Sequence, residues 1–98
     1  MAIVEVSIVP LGLSTTSLSE YVAPVLEPLK CSGLKYTLTA MGTIIEGDLD
    51  EVMKCVLKMH EIPFHKGIGR VYTTIKIDDR HDKPATIEGK VRSVETKS

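Results

Sequence analysis

Apolar and polar positions alternate from Ile3 to Pro10. Val4, Val6 and Ile8 point one way; Ile3, Glu5, Ser7 and Val9 point the other. A period of two predicts a strand with one apolar and one mixed face. Pro10-Leu11-Gly12 ends it, because proline removes a ladder donor and glycine permits a turn. After a polar loop the period changes. Ser17-Leu18-Ser19-Glu20 has the form of a capping box, and Val22, Val25, Leu26 and Leu29 then recur at helical spacing. Pro24 and Pro28 oppose that helix, each costing ~3 kcal/mol in an ideal interior. They lie four apart and away from the apolar stripe, so a kinked or shortened helix ending at Ser32-Gly33 is expected.

Leu34 to Met41 alternates again, and Thr43 to Glu46 returns through a tight turn containing Gly42, which reads as an antiparallel hairpin. Asp48 with Glu51 is a second helix start. Leu49, Val52, Met53, Val56 and Met59 form its apolar stripe, and Pro63 and Gly67 mark its exit. Arg70 to Asp78 is the last long strand. Asp78 to Pro84 is a charged loop, and Thr86 to Val94 reads as a short helix weakened by Gly89, with 95–98 frayed. Strand, helix, strand, strand, helix, strand and tail helix predict an α+β fold. The expected form is one domain over 1–98: a ferredoxin-like βαββαβ sandwich with a four-stranded antiparallel sheet and a short C-terminal helix. Both helices then cover one face and leave the other bare. That second face mixes Glu5, Ser7, Thr37, Thr39, Tyr72, Thr74 and Lys76 with Ile3, Val9 and Met41, which suits an oligomer interface or a ligand surface.

Composition narrows the choices. The 98 residues suffice for one domain and its core must be aliphatic, since Phe64 and three tyrosines are the only aromatics. A net charge of -1 with scattered basic residues supplies no field for nucleic acid or anionic lipid. No apolar run approaches the ~20 residues that span a bilayer. The N-terminus has no basic region and carries Glu5, which predicts a cytoplasmic protein without a signal peptide. Cys31 and Cys55 are then expected as buried free thiols.

Glu46 is the first candidate for chemistry: a carboxylate inside an otherwise apolar strand needs a partner. The bland partner is solvent, Lys35 or Lys76; the sharper one is an amino-substituted heterocycle. Ser7, Thr37, Thr39, Thr43 and Thr74 form a second set. Threonine simply suits strands, but several hydroxyls on one sheet face suit a small polar ligand. His60 and His65 are five apart and give no metal pair, and His81 lies in a loop where Arg80 and Lys83 favour salt bridges over a cation. No metal or cofactor signature is present. Gly67-Ile68-Gly69 lacks the third glycine of a dinucleotide site, neither cysteine lies in an electropositive loop, and no catalytic nucleophile is named. The central strands carry no aromatic platform for RNA. The first loop lacks the cysteine pair of a copper chaperone and the phosphate-binding arginine of an acylphosphatase.

Four segments together carry a resemblance: Val6-Ser7-Ile8-Val9-Pro10-Leu11-Gly12; Met41-Gly42-Thr43 through Glu46-Gly47-Asp48-Leu49-Asp50-Glu51-Val52; Arg70-Val71-Tyr72-Thr73-Thr74-Ile75-Lys76-Ile77-Asp78-Asp79-Arg80; and Lys90-Val91 with Ser93-Val94. Over nearly the whole chain this resembles the small thiamine-binding-protein family, relatives of the two-repeat hydroxymethylpyrimidine- and thiamine-binding proteins. The resemblance implies a ferredoxin-like homo-oligomer, commonly a tetramer built from dimers, that binds thiamine or its pyrimidine half without catalysis. Pro24 and Pro28 depart from it. The resemblance itself supplies no ligand list; the sheet-face argument above places ligand contacts at Ser7, Thr37, Thr39, Thr43 and Glu46, with Glu46 accepting from the ring amino group. The rival reading is a structural or regulatory oligomer without a small-molecule site.

Overall fold

The alternating N-terminal positions form β1, Ala2–Leu11, in a computed structural model that describes residues 1–12, 23–82 and 86–97. The other elements are α1 (Glu27–Ser32), β2 (Lys35–Leu38), β3 (Thr43–Gly47), α2 (Leu49–His65), β4 (Arg70–Asp79) and α3 (Ile87–Lys97). The strands make one antiparallel sheet in the order β2-β3-β1-β4, which is the expected ferredoxin-like arrangement. No helix among the described residues is long and apolar enough to cross a membrane.

The period-two pattern sets the faces. Ala2, Val4 and Val6 are buried opposite Gly47, Ile45 and Thr43 of β3. On this side the sheet meets Val25, Leu29, Val52, Cys55, Val56 and Met59 from the helical layer. Each fully buried aliphatic of this set contributes ~1.5–3 kcal/mol. On α2, Val52, Val56 and Met59 are buried as the spacing predicts, and Cys55 joins them, while Leu49 and Met53 are only half-buried. Asp48 caps the helix, its carboxylate accepting from the Glu51 N–H at 3.4 Å. His60 Nδ1 lies 2.7 Å from Thr73 Oγ1 and ties α2 to β4.

Several boundaries differ from the sequence expectation. The 17–20 capping box lies outside the described residues. Residues 23–25 are helical, Leu26 is a turn, and α1 starts afresh at Glu27, so Pro28 occupies its first turn, where no intrahelical N–H is needed. Gly33, at φ 79°, closes α1 in the left-handed conformation. α2 runs through Pro63 to His65 rather than stopping there, because Pro63 sits in the last turn and is itself buried. Cys31 is exposed, not buried, and both thiols are free.

The tail differs most. α3 continues to Lys97 instead of fraying at 95. It is also held against the face expected to be bare. Lys35 pairs with Glu88, Lys90 pairs with Asp78, and the Ile87 N–H donates to Glu46 Oε2 at 3.0 Å. The register puts Lys35, Glu46 and Asp78 together on that second face. The rest of it stays open, with Tyr72 62% exposed and Lys76 paired to Glu5 at 3.6 Å. The charged loop is salt-bridged as expected: Arg80 binds Asp82 through two nitrogens, at 3.0 and 2.8 Å, and His81 lies 3.0 Å from Asp79.

Candidate functional site

β1 and β3 have unequal lengths. β3 begins at Thr43, opposite Val6, whereas β1 continues to Leu11 with only β4 beside it. Among the described residues, the β3-side edge of Ser7–Leu11 therefore has no strand partner. The hairpin turn leans across the gap instead. Thr39 fixes that turn. Its backbone N–H donates to Gly42 O at 2.9 Å, its hydroxyl donates to the same oxygen at 2.8 Å, and the hydroxyl oxygen accepts from Met41 N–H at 3.2 Å and Gly42 N–H at 3.1 Å. This is a side-chain-braced turn. Gly42 lets it approach β1, since a Cβ there would lie 2.9 Å from the Val6 carbonyl oxygen.

The result is a cleft of about 290 Å³, close to the lower end of the ~300–1,000 Å³ range of small-molecule sites. Its walls are Val6, Ser7, Ile8 and Pro10 of β1, the turn from Leu38 to Thr43, and Val25 with Leu26 before α1; Met59 also lines it. Polar groups are few. Thr43 is only 8% exposed, yet no hydrogen bond among the described residues uses its hydroxyl, which is not sealed from solvent. The Ser7 hydroxyl is likewise uncommitted among those residues. The Thr39 proton is spent on Gly42, so this side chain shapes the rim. Met41, 82% exposed, stands at the mouth.

Ser7, Thr39 and Thr43 are thus brought together at one cleft, but Thr37 and Glu46 are not. Thr37 is exposed on β2 opposite Ile44. Glu46 lies three residues along β3 from Thr43 and alternates onto the other face. It is 9% exposed, and its carboxylate meets the first turn of α3, where the positive end of the helix favours an anion. Neither Lys35 nor Lys76 binds it directly, although its charge helps raise the Lys35 pKa after the larger effect of the Glu88 hydrogen bond. The expectation of hydroxyls on one face fails for Thr43, which shares the helix-facing side with Val4 and Val6. Sequence reasoning also missed the apolar lining: Val6, Pro10, Val25, Leu38 and Met59. One signal for it was present, an eight-residue alternation at 3–10 facing a four-residue one at 43–46.

The cleft offers an apolar slot, two thioethers and two available hydroxyls that both donate and accept. The described residues hold no group of three or more His, Cys, Asp or Glu side chains able to ligate a metal.

Comparison with known proteins agrees with the fold. A family model described as thiamine-binding protein matches residues 4–95. The UPF0045 protein YqgV of Bacillus subtilis is 49% identical over 98 residues, covering 96% of this chain and 94% of its own. A UPF0045 protein of Methanothermobacter thermautotrophicus is 46% identical, with 99% of each chain covered. A solved structure of a hypothetical protein from Methanocaldococcus jannaschii superposes with a TM-score of 0.85 at 41% identity, over 96% of this chain and 95% of that one. A candidate thiamine biosynthesis/salvage protein of Thermotoga maritima gives 0.79 at 25% identity, over 95% and 97%.

Proposed function

Because the chain belongs to the thiamine-binding protein family, we propose that it binds thiamine or its hydroxymethylpyrimidine half, without turnover, in the cleft between β1 and the 39–42 turn. The observation that carries this reading is the Thr43 hydroxyl: nearly buried, lining the cleft and unclaimed among the described residues. Together with Ser7 it can serve the ring nitrogens and amino group of an aminopyrimidine, while Val6, Pro10, Leu38 and the two methionines pack its faces. Glu46 is left to α3 in this reading, and Thr37 to the open face.

The working form is a cytoplasmic homo-oligomer, a tetramer built from dimers. Its support is apolar surface that one copy leaves in water: Val9 and Tyr72 on the open face, and Val91 and Val94 on α3. Sedimentation equilibrium reports the mass directly, and a monomer at micromolar concentration removes this part. Isothermal titration with thiamine and with hydroxymethylpyrimidine tests the ligand. Saturable heat with either supports the reading; none with both, at protein concentrations well above micromolar, ends it.

A further inference from the structure

The helical layer, on the side of the sheet away from the open face, carries a second concavity. Pro28 of α1 and Leu57, Lys58, Glu61, Ile62 and His65 of α2 line a groove of about 470 Å³ whose wall is almost wholly apolar. It shares no lining residue with the cleft beside the 39–42 turn. An amphipathic helix turns polar side chains to its outer side. Leu57 breaks that rule on α2: it is 59% exposed. A lone leucine in water is ordinary. Leu57 instead stands in a groove with half-buried Pro28 and Ile62, and a concave apolar patch of this kind suits a docking partner.

The charges on the groove match a second copy of the same helix. Lys58 and Glu61 are exposed, and neither forms an ion pair among the described residues. Lysine precedes glutamate here, which is the weaker order for a pair within one helix. Facing an antiparallel copy, the same order becomes complementary. A two-fold axis passing between positions 59 and 60 sets Lys58 level with Glu61 of the second copy and Glu61 level with Lys58 of the second copy. The same axis sets Leu57 level with Ile62 of the second copy, so the apolar residues meet where the ion pairs close over them. A groove of one charge sign would have selected an acidic or a basic partner; this one carries both signs, spaced for itself.

We propose that a second copy of this chain docks in the groove, α2 against α2 and antiparallel. This deepens the homo-oligomer reading above and rests on it. A tetramer built from dimers needs two different two-fold contacts. The apolar residues of the open face serve one of them, and the groove, on the opposite side of the sheet, serves the other without competing for surface.

The experiment is sedimentation equilibrium of the full chain beside Leu57→Glu, Lys58→Glu, Glu61→Lys and the double reversal Lys58→Glu/Glu61→Lys. Leu57→Glu is expected to halve the mass at a concentration where the parent is assembled, with the melting temperature of the dissociated subunit showing that it stays folded. Each single reversal sets like charges face to face and should weaken this association step about tenfold, and the double reversal should recover it to within about threefold of the parent. An assembled parent whose mass Leu57→Glu leaves unchanged overturns the inference while the open-face contact stands. A double reversal no stronger than the single ones overturns the antiparallel α2 pairing. A monomeric parent overturns the oligomer reading, and this inference with it.

Discussion

The carboxylate of Glu46 on β3 accepts a hydrogen bond from the backbone N–H of Ile87, 41 residues further along the chain, at 3.0 Å. Thr86 completes the arrangement, its hydroxyl accepting from the Gly89 N–H at 2.9 Å. Two orphan donors at the start of α3 are thereby satisfied, one by a neighbour and one by the sheet. A strand carboxylate that looks like a ligand group is a tertiary helix cap.

Glu46→Gln separates the two roles. It retains the shape and weakens a charge-assisted hydrogen bond, so a loss of ~1–2 kcal/mol in urea unfolding is expected. Thiamine affinity should stay within twofold of the parent chain, because the carboxylate is outside the cleft. A large fall in affinity with unchanged stability would return Glu46 to the site.

Thr43→Val removes the available hydroxyl at nearly constant volume. Affinity for the aminopyrimidine should drop by about five- to tenfold, the worth of one neutral hydrogen bond, with stability unchanged or slightly improved. Thr39→Val should behave in the opposite sense, since its hydroxyl serves the turn: a loss of ~1–2 kcal/mol in stability is expected. Thermal melts alongside titration distinguish the pair.

Gly42→Ala would set a methyl group 2.9 Å from the Val6 carbonyl. Backbone cannot yield cheaply there, so the turn must move off β1. A destabilisation of ~1–3 kcal/mol is expected, together with weakened ligand binding as one wall withdraws. Melting temperature and titration on the same preparation check both.

The attachment of α3 should depend on pH. The Lys35 hydrogen bond, foremost, holds the Glu88 carboxyl below its ordinary value of 4.5. A lowered carboxyl pKa gives stability that is present above the ordinary value and lost as pH falls through the folded one. The Lys35 ammonium is raised above 10.5 chiefly by the same bond, so its share is present below that value and lost as pH rises past it. Amide-exchange protection in α3 should therefore hold between these limits and decline on the acid side, with Glu88→Gln flattening the acid limb. Both groups are exposed, so high salt should weaken the effect.

Much of the architecture was legible because local patterns and tertiary packing agree. The alternations at 3–10 and 70–78, the stripe from Val52 to Met59 and the Asp48 cap each state an element and its buried face. The sheet order follows from the sequence of elements. What was illegible depends on contacts distant along the chain. Nothing near Glu46 reveals that Ile87 arrives over it, and nothing near Thr86 reveals that its helix lies on a face the other helices avoid. Thr43 and Glu46 stand three apart in one strand, an odd interval that sends them to opposite sides. That much was readable from strand geometry. The cleft itself was not, since it arises where side-chain bonds of Thr39 end the hairpin before the longer strand has finished.

The short hairpin has a consequence for how the cleft can be altered. Room for a guest exists because one ribbon runs out of rungs before its neighbour, so capacity is set by where the ladder stops more than by which side chains line it. Extending the 39–42 bend by two ladder-forming residues would let the chain fill its own cavity, leaving the fold intact and the guest without a place.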